Sequence, residues 1–161
     1  MTEARKVWDL LRGGEELLER MRPLWCELQR HHADRFPKWR EDLLAATFDQ
    51  RKAGLIKKGV GGLLVLLAMR GREDVAYGIC TVNEHGQGEI DSIYVSEEYR
   101  QQGIGTALMK EAMAWLRDRN VTDIVVDVMA GNDAAAHLYE KFGFAPRTVR
   151  MKHVPEAKTC D

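Results

Sequence analysis

The run Arg100-Gln101-Gln102-Gly103-Ile104-Gly105-Thr106 has the residue types of an anion-binding loop. It follows an extended segment, Glu89 to Val95, and opens a pattern in which Ile104, Leu108, Ala112 and Trp115 recur on one helical face. A helix start leaves its first N–H groups without intrahelical partners, and the helix dipole adds positive character there. Gly103 and Gly105 lack a Cβ, so a phosphate can approach the backbone closely, while Arg100 adds charge or braces the loop. A dinucleotide loop would place a third glycine where Leu108 stands, and the Gly-Lys-Ser/Thr of a Walker loop is absent. The chemistry indicated is capture of a phosphate-bearing ligand of neither kind. On spacing alone, the glycines equally suit a plain tight strand-to-helix turn.

Titratable residues near this loop and beyond it suggest proton transfer. Tyr139 is a candidate general acid, because a phenol with a pKa near 10 is protonated at neutral pH. Asn132 lies about two helical turns before it, so both can share one face of a helix. Each residue also has a structural reading: Tyr139 as an aromatic packed beside Phe142 and Phe144, Asn132 as a helix N-cap. Glu89 is the candidate base, with Asp91 as runner-up. Strand alternation would put Glu89, Asp91, Ile93 and Val95 on one sheet face, and Glu89 equally suits a solvated strand start.

Arg100 to Gly105, after a strand ending Ile93-Tyr94-Val95, resembles the acyl-CoA signature R/Q-x-x-G-x-G/A of the GNAT acetyltransferase superfamily. Downstream, the strand Asp123 to Val128, then Asn132, then Tyr139-Glu140-Lys141-Phe142-Gly143-Phe144 resemble the second half of the same core. The resemblance is good from Gly62 to Val154 and holds in outline over the N-terminal third. It implies an α/β fold of the α+β type: one domain over 1–161, with a mixed, mostly antiparallel sheet flanked by helices. That sheet would splay between the 89–95 and 121–129 strands.

The same resemblance implies acetyl-CoA as co-substrate and a primary amine, small-molecule or peptide, as acceptor. Attack would be direct, in a ternary complex, without a covalent enzyme intermediate. The implied cofactor contacts are Ile93, Tyr94, Val95, Arg100, Gln101, Gln102, Gly103, Ile104, Gly105, Thr106, Asn132 and Tyr139. The backbone of Ile93 to Val95 would pair with the pantetheine arm, and the N–H of Val95 or a neighbour would polarise the carbonyl. Tyr139 would lie near the sulfur, and a carboxylate at the Glu89 position serves as base in some relatives. Orientation of the two substrates alone can supply up to about 7–11 kcal/mol of barrier reduction. The rival class is an acyl-CoA-binding sensor or scaffold domain without turnover. A protein acetyltransferase acting on lysine or N-terminal amines differs only in acceptor.

Several elements must position these residues. Val7 to Leu11 reads as a short strand closed by Gly13-Gly14. Pro23 divides the amphipathic pattern after Glu15, which predicts a helix from Pro23 to Ala33 with the proline in its first turn. A further helix is expected over Lys38 to Ala53, with Trp25, Trp39 and Phe48 as core packing. Leu63–Met69, Val75–Val82 and Glu89–Val95, joined by short turns, read as an antiparallel meander, and Gly78 hints at a bulge or a close neighbour. Then come helix 103–119, strand 121–129, helix 132–142, an extended stretch over 148–154, and a frayed tail from Pro155. The strand-helix-strand order demands one parallel pairing.

The chain has 161 residues, 45% hydrophobic and 30% charged, with a formal net charge of −1. That balance suits a globular domain and argues against a dominant electrostatic pull toward nucleic acid or anionic membrane. Cys26, Cys80 and Cys160 are widely spaced and lack metal-ligand spacing, which favours a reduced, cytoplasmic setting and no metal. The longest strongly apolar run, Leu63 to Met69, is far short of the ~20 residues a membrane helix needs. Oligomeric state is open, with a homodimer among the options.

Overall fold

The computed structural model of the chain describes residues 7–154. They divide into two compact units, the first ending at Asp127 and the second beginning at Val128. The tail from Pro155 lies outside the described residues.

The first unit is a five-stranded sheet in the order β1-β2-β3-β4-β5. Its strands are β1 (Asp9–Gly13), β2 (Gly62–Arg70), β3 (Glu73–Val82), β4 (Gly88–Val95) and β5 (Ile124–Val125). β1 to β4 pair antiparallel in sequence order, and β5 joins β4 in parallel. This is the mixed, mostly antiparallel sheet expected from the meander and its crossover. Helices α1 (Leu18–Arg35), α2 (Arg40–Ala45), α3 (Phe48–Lys58) and α4 (Ile104–Asp118) complete the unit. No helix among the described residues is long and apolar enough to cross a membrane.

Hydrophobic periodicity sorts the helices onto the sheet. Leu18, Met21, Leu24 and Trp25 of α1, with Phe48 and Leu55 of α3, bury against Val65, Leu67, Tyr77, Ile79 and Tyr94. Trp25 and Phe48 meet edge to face at 5.6 Å, as core aromatics do. α4 buries Ile104, Leu108, Met109, Ala112, Trp115 and Leu116. It comes so close to β4 that a Cβ on Gly88 would meet Leu116 at 2.8 Å. A Cβ on Gly78 would lie 3.6 Å from Leu108 of α4, an ordinary contact, so the close neighbour expected there is not found.

Two helix boundaries differ from the sequence expectation. α1 runs unbroken from Leu18 through Pro23 instead of starting at Pro23. An internal proline costs about 3 kcal/mol, while burying one large apolar side chain contributes about 1.5–3 kcal/mol. Leu18 and Met21 before the proline share a buried face with Leu24 and Trp25 after it, whereas Pro23 itself is exposed. Packing therefore outweighs the lost hydrogen bond. The single helix expected over Lys38 to Ala53 is instead a 3₁₀ turn at Pro37–Trp39, then α2, then α3. Thr47 and Gln50 form a capping box: Gln50 N–H donates to Thr47 Oγ1 at 3.2 Å, and Thr47 N–H to Gln50 Oε1 at 3.1 Å. Those bonds start a new helix after an extended Ala46.

The expected 121–129 strand is reduced to Ile124–Val125. The second unit contains α5 (Asp133–Glu140), and the 148–154 stretch joins no ladder among the described residues.

Candidate functional site

The glycine loop takes a shape its sequence requires. After β4 come Ser96, a 3₁₀ turn at Glu97–Tyr99, and an extended Arg100. Gln101 and Gly103 then adopt φ of 61° and 78°. Gly103 is the N-cap of α4 in the left-handed region, where a Cβ would be strained but would touch nothing within 4 Å. Glycine is needed there for its dihedral, not for lack of room. No side chain caps α4, whereas Thr47 caps α3 and Asn132 caps α5. The first-turn amides of Ile104, Gly105 and Thr106 are thus left to an outside acceptor at the positive end of a 15-residue helix.

Beside the loop, β4 has a backbone edge. β5 pairs with it only at Gly88↔Ile124 and Glu89↔Val125, so the two strands part before Ile90. Ser96 N–H donates to Val75 O at 3.0 Å. In an antiparallel ladder, hydrogen bonding then alternates, so the amide groups of Val95 and Ile93 face away from β3. Arg100 braces this end of the strand. Its Nε donates to Val95 O at 3.0 Å, and its guanidinium lies 5.7 Å from the centre of the Tyr94 ring.

A β-bulge reorders the candidate carboxylates. Cys80 pairs with Ile90 and Ile79 with Ser92, leaving Asp91 without a cross-strand partner. Glu89, Asp91, Ile93 and Val95 therefore do not share one face. Glu89 opposes Thr81, and Asp91 accepts from Thr81 Oγ1 at 2.6 Å, on the α1/α3 side. Beyond the extra residue, Ser92 and Tyr94 occupy that side, and Ile93 and Val95 lie on the other. Lys58 of α3 joins the two carboxylates, reaching Glu89 Oε2 at 2.8 Å and also Asp91 Oδ1. The Asp91 side chain is wholly buried. Burial works against the Lys58 ammonium, but its bonds to Asp91 and then Glu89 outweigh that, and its pKa sits above the ordinary value. Arg51 completes the cluster by donating to Asp91 O at 3.0 Å. Burial, and then the Asp91 charge, push the Cys80 thiol up, in keeping with a small hydrophobe.

Reading the sequence missed Lys58, Arg51 and Glu27. Glu27, half-buried on α1, accepts from Tyr94 OH at 3.3 Å and from Ser96 Oγ at 2.8 Å. The available signal was a charged residue three positions after Leu24, at helical spacing from the buried face. Burial first, and then the Glu27 charge, raise the Tyr94 pKa against the opposing effect of Arg100, so the phenol remains a donor.

In the second unit, Asn132 is the N-cap of α5, its Oδ1 accepting from Ala135 N–H at 3.3 Å. Tyr139 is buried on α5, with its ring 6.0 Å from that of Phe144.

The family model described as "Acetyltransferase (GNAT) family" matches residues 20–144. N-alpha-acetyltransferase 30 of Xenopus laevis is 34% identical over 85 residues, covering 50% of this chain and 31% of that protein. The ribosomal-protein-alanine N-acetyltransferase of Escherichia coli is 38% identical over 64 residues, covering 40% of this chain and 43% of that protein. The chain thus spans less than half the length of these curated relatives. A putative acetyl transferase from Pyrococcus furiosus has a TM-score of 0.72 at 24% identity, with 91% of this chain and 98% of that one covered. An aminoglycoside N-acetyltransferase in complex with CoA has a TM-score of 0.64 at 12% identity, with 98% and 100% covered. At these identities the solved structures speak for the fold.

Proposed function

The chain belongs to the GNAT acetyltransferase family, and from that premise we propose that it moves the acetyl group of acetyl-CoA to a primary amine by direct attack in a ternary complex. One observation carries the proposal: a helix N-terminus without a side-chain cap, entered through a left-handed glycine, adjoins a strand edge whose neighbour has ended. These features fit a ligand with a phosphate group and a peptide-like arm. The amides of Ile104, Gly105 and Thr106, with Gln101, Gln102 and Gly103, would hold the phosphate. Ile93 and Val95 would pair with the arm as a strand does.

Bound acetyl-CoA supplies an activated acyl carbon. The chain's own work is to align it with the amine, to offer the N–H of Val95 or a neighbour to the developing oxyanion, and to move protons. Glu89, six residues before Val95 on β4, would take the acceptor's proton through a chain of waters in this reading. Tyr139 and Asn132 keep their roles as proton donor and cofactor contact on phenol chemistry and the match to the family pattern. The names of the curated relatives make a peptide α-amine the first acceptor to screen.

Calorimetric titration with acetyl-CoA, followed by a thiol-release assay over an amine panel, tests the proposal. Binding with turnover on at least one amine is expected. Binding without turnover on any amine favours the sensor reading, and absence of binding removes both.

A further inference from the structure

Glu27 on α1 has no ion-pair partner among the described residues, whereas several carboxylates near it do. Glu89 and Asp91 share Lys58, Asp74 holds Arg20, and Glu19 holds Arg22 and Lys52. The Tyr94 and Ser96 hydroxyls both donate to one Glu27 oxygen, Oε2. The other, Oε1, receives no hydrogen bond from a described residue. The Arg100 guanidinium gives its Nε to Val95 O and also interacts with the Tyr94 hydroxyl, but it forms no ion pair with Glu27. A half-buried carboxylate anchored through one oxygen, with the other open, is suited to a cationic partner. Its anchors are the residues on either side of Val95, whose amide faces away from β3.

We propose that Glu27 binds the ammonium group of the acceptor through Oε1 and so selects cationic amines, an inference that deepens the transfer reading above and rests on it. Tyr94 and Ser96 hold the carboxylate still, so its charge meets the amine beside the strand end where transfer would occur. Acceptors whose amine is blocked or uncharged lose this contact.

The variant Glu27→Gln isolates the charge, because a glutamine carbonyl still accepts from both hydroxyls. The probes are a tetrapeptide with a free N-terminal alanine and the same peptide N-acetylated. Titration into the wild type, followed by NMR, should shift the Tyr94 and Ser96 resonances with the free peptide and not with the blocked one. In Glu27→Gln the free peptide should bind about 10-fold or more weakly, with affinity for acetyl-CoA and the melting temperature unchanged. Ser96→Ala, which keeps the charge, should bind the peptide within about 3-fold of wild type.

Equal response to both peptides, no response at millimolar peptide, or unchanged affinity in Glu27→Gln overturns the proposal. So does a parallel loss of peptide affinity, acetyl-CoA affinity and stability, which marks a purely structural bridge. If Glu27→Gln does not fold, the comparison of free with blocked peptide on the wild type decides. The titration needs no acetyl-CoA, so failure of the transferase reading shows separately, as absent thiol release.

Discussion

Replacing Gly103 with alanine separates two effects that the loop combines. Gly103 sits at φ 78° with open space where a Cβ would go. Alanine therefore clashes with nothing and costs only the left-handed strain, about 1–2 kcal/mol. For a chain of this length each kcal/mol shifts the melting temperature by about 2–4 °C, so a fall of about 2–8 °C is expected by calorimetric scanning. Binding should suffer more. A charge-assisted hydrogen bond contributes about 1.5–3 kcal/mol, so displacing one phosphate contact raises the acetyl-CoA Kd by about 10- to 150-fold. Gly103→Asn is the control. Asparagine tolerates the left-handed region, so stability should stay within about 1 kcal/mol of wild type. Its side chain still fills the approach and can itself cap the α4 amides, so affinity should remain low. If Gly103→Ala binds acetyl-CoA as well as wild type, the amides hold no phosphate. If Gly103→Asn restores stability and affinity together, backbone strain explains the loss and the cradle argument fails.

Lys58→Met should destabilise the protein by about 1–3 kcal/mol in urea unfolding, because it strands a buried Asp91 carboxylate. The raised Lys58 pKa gives a sign: its stabilisation is complete below the ordinary value of 10.5 and is lost as pH rises through the folded value. Wild type should therefore lose stability in alkali more steeply than Lys58→Met, and parallel curves would dismiss the linkage. Tyr139→Phe should lower kcat by about 10²-fold with little change in acetyl-CoA affinity; unchanged turnover removes it from the acid role. Thr47→Ala removes the α3 capping box and should cost about 1 kcal/mol by thermal unfolding, and a neutral result would mean that packing alone starts α3.

Features set by neighbours in the chain were legible in the sequence. The strand-to-helix loop, the β2–β4 meander, the α4 face and the Asn132 cap each depend on residues a few positions apart. The α2/α3 break belongs to the same class, since Thr47 and Gln50 announce a capping box, but the longer apolar stripe across them obscured it. Pro23 went the other way: its local rule is sound, and the burial of Leu18 and Met21 overrode it.

What only the tertiary structure decided lies across elements. A single unpaired residue in β4, Asp91, turns the strand over, so alternation places Glu89 correctly and Ile93 on the wrong side. No local pattern marks that register shift, because it is fixed by pairing with β3. Lys58 reaches Glu89 and Asp91 from 31 and 33 positions away, and Glu27 meets Tyr94 and Ser96 from 67 and 69. The sequence by itself determined where backbone amides would be left open, because helix starts and left-handed glycines are short-range facts. Which carboxylate finds a cation was decided by helices docking on a sheet, since charge pairing follows distance in space and not along the chain.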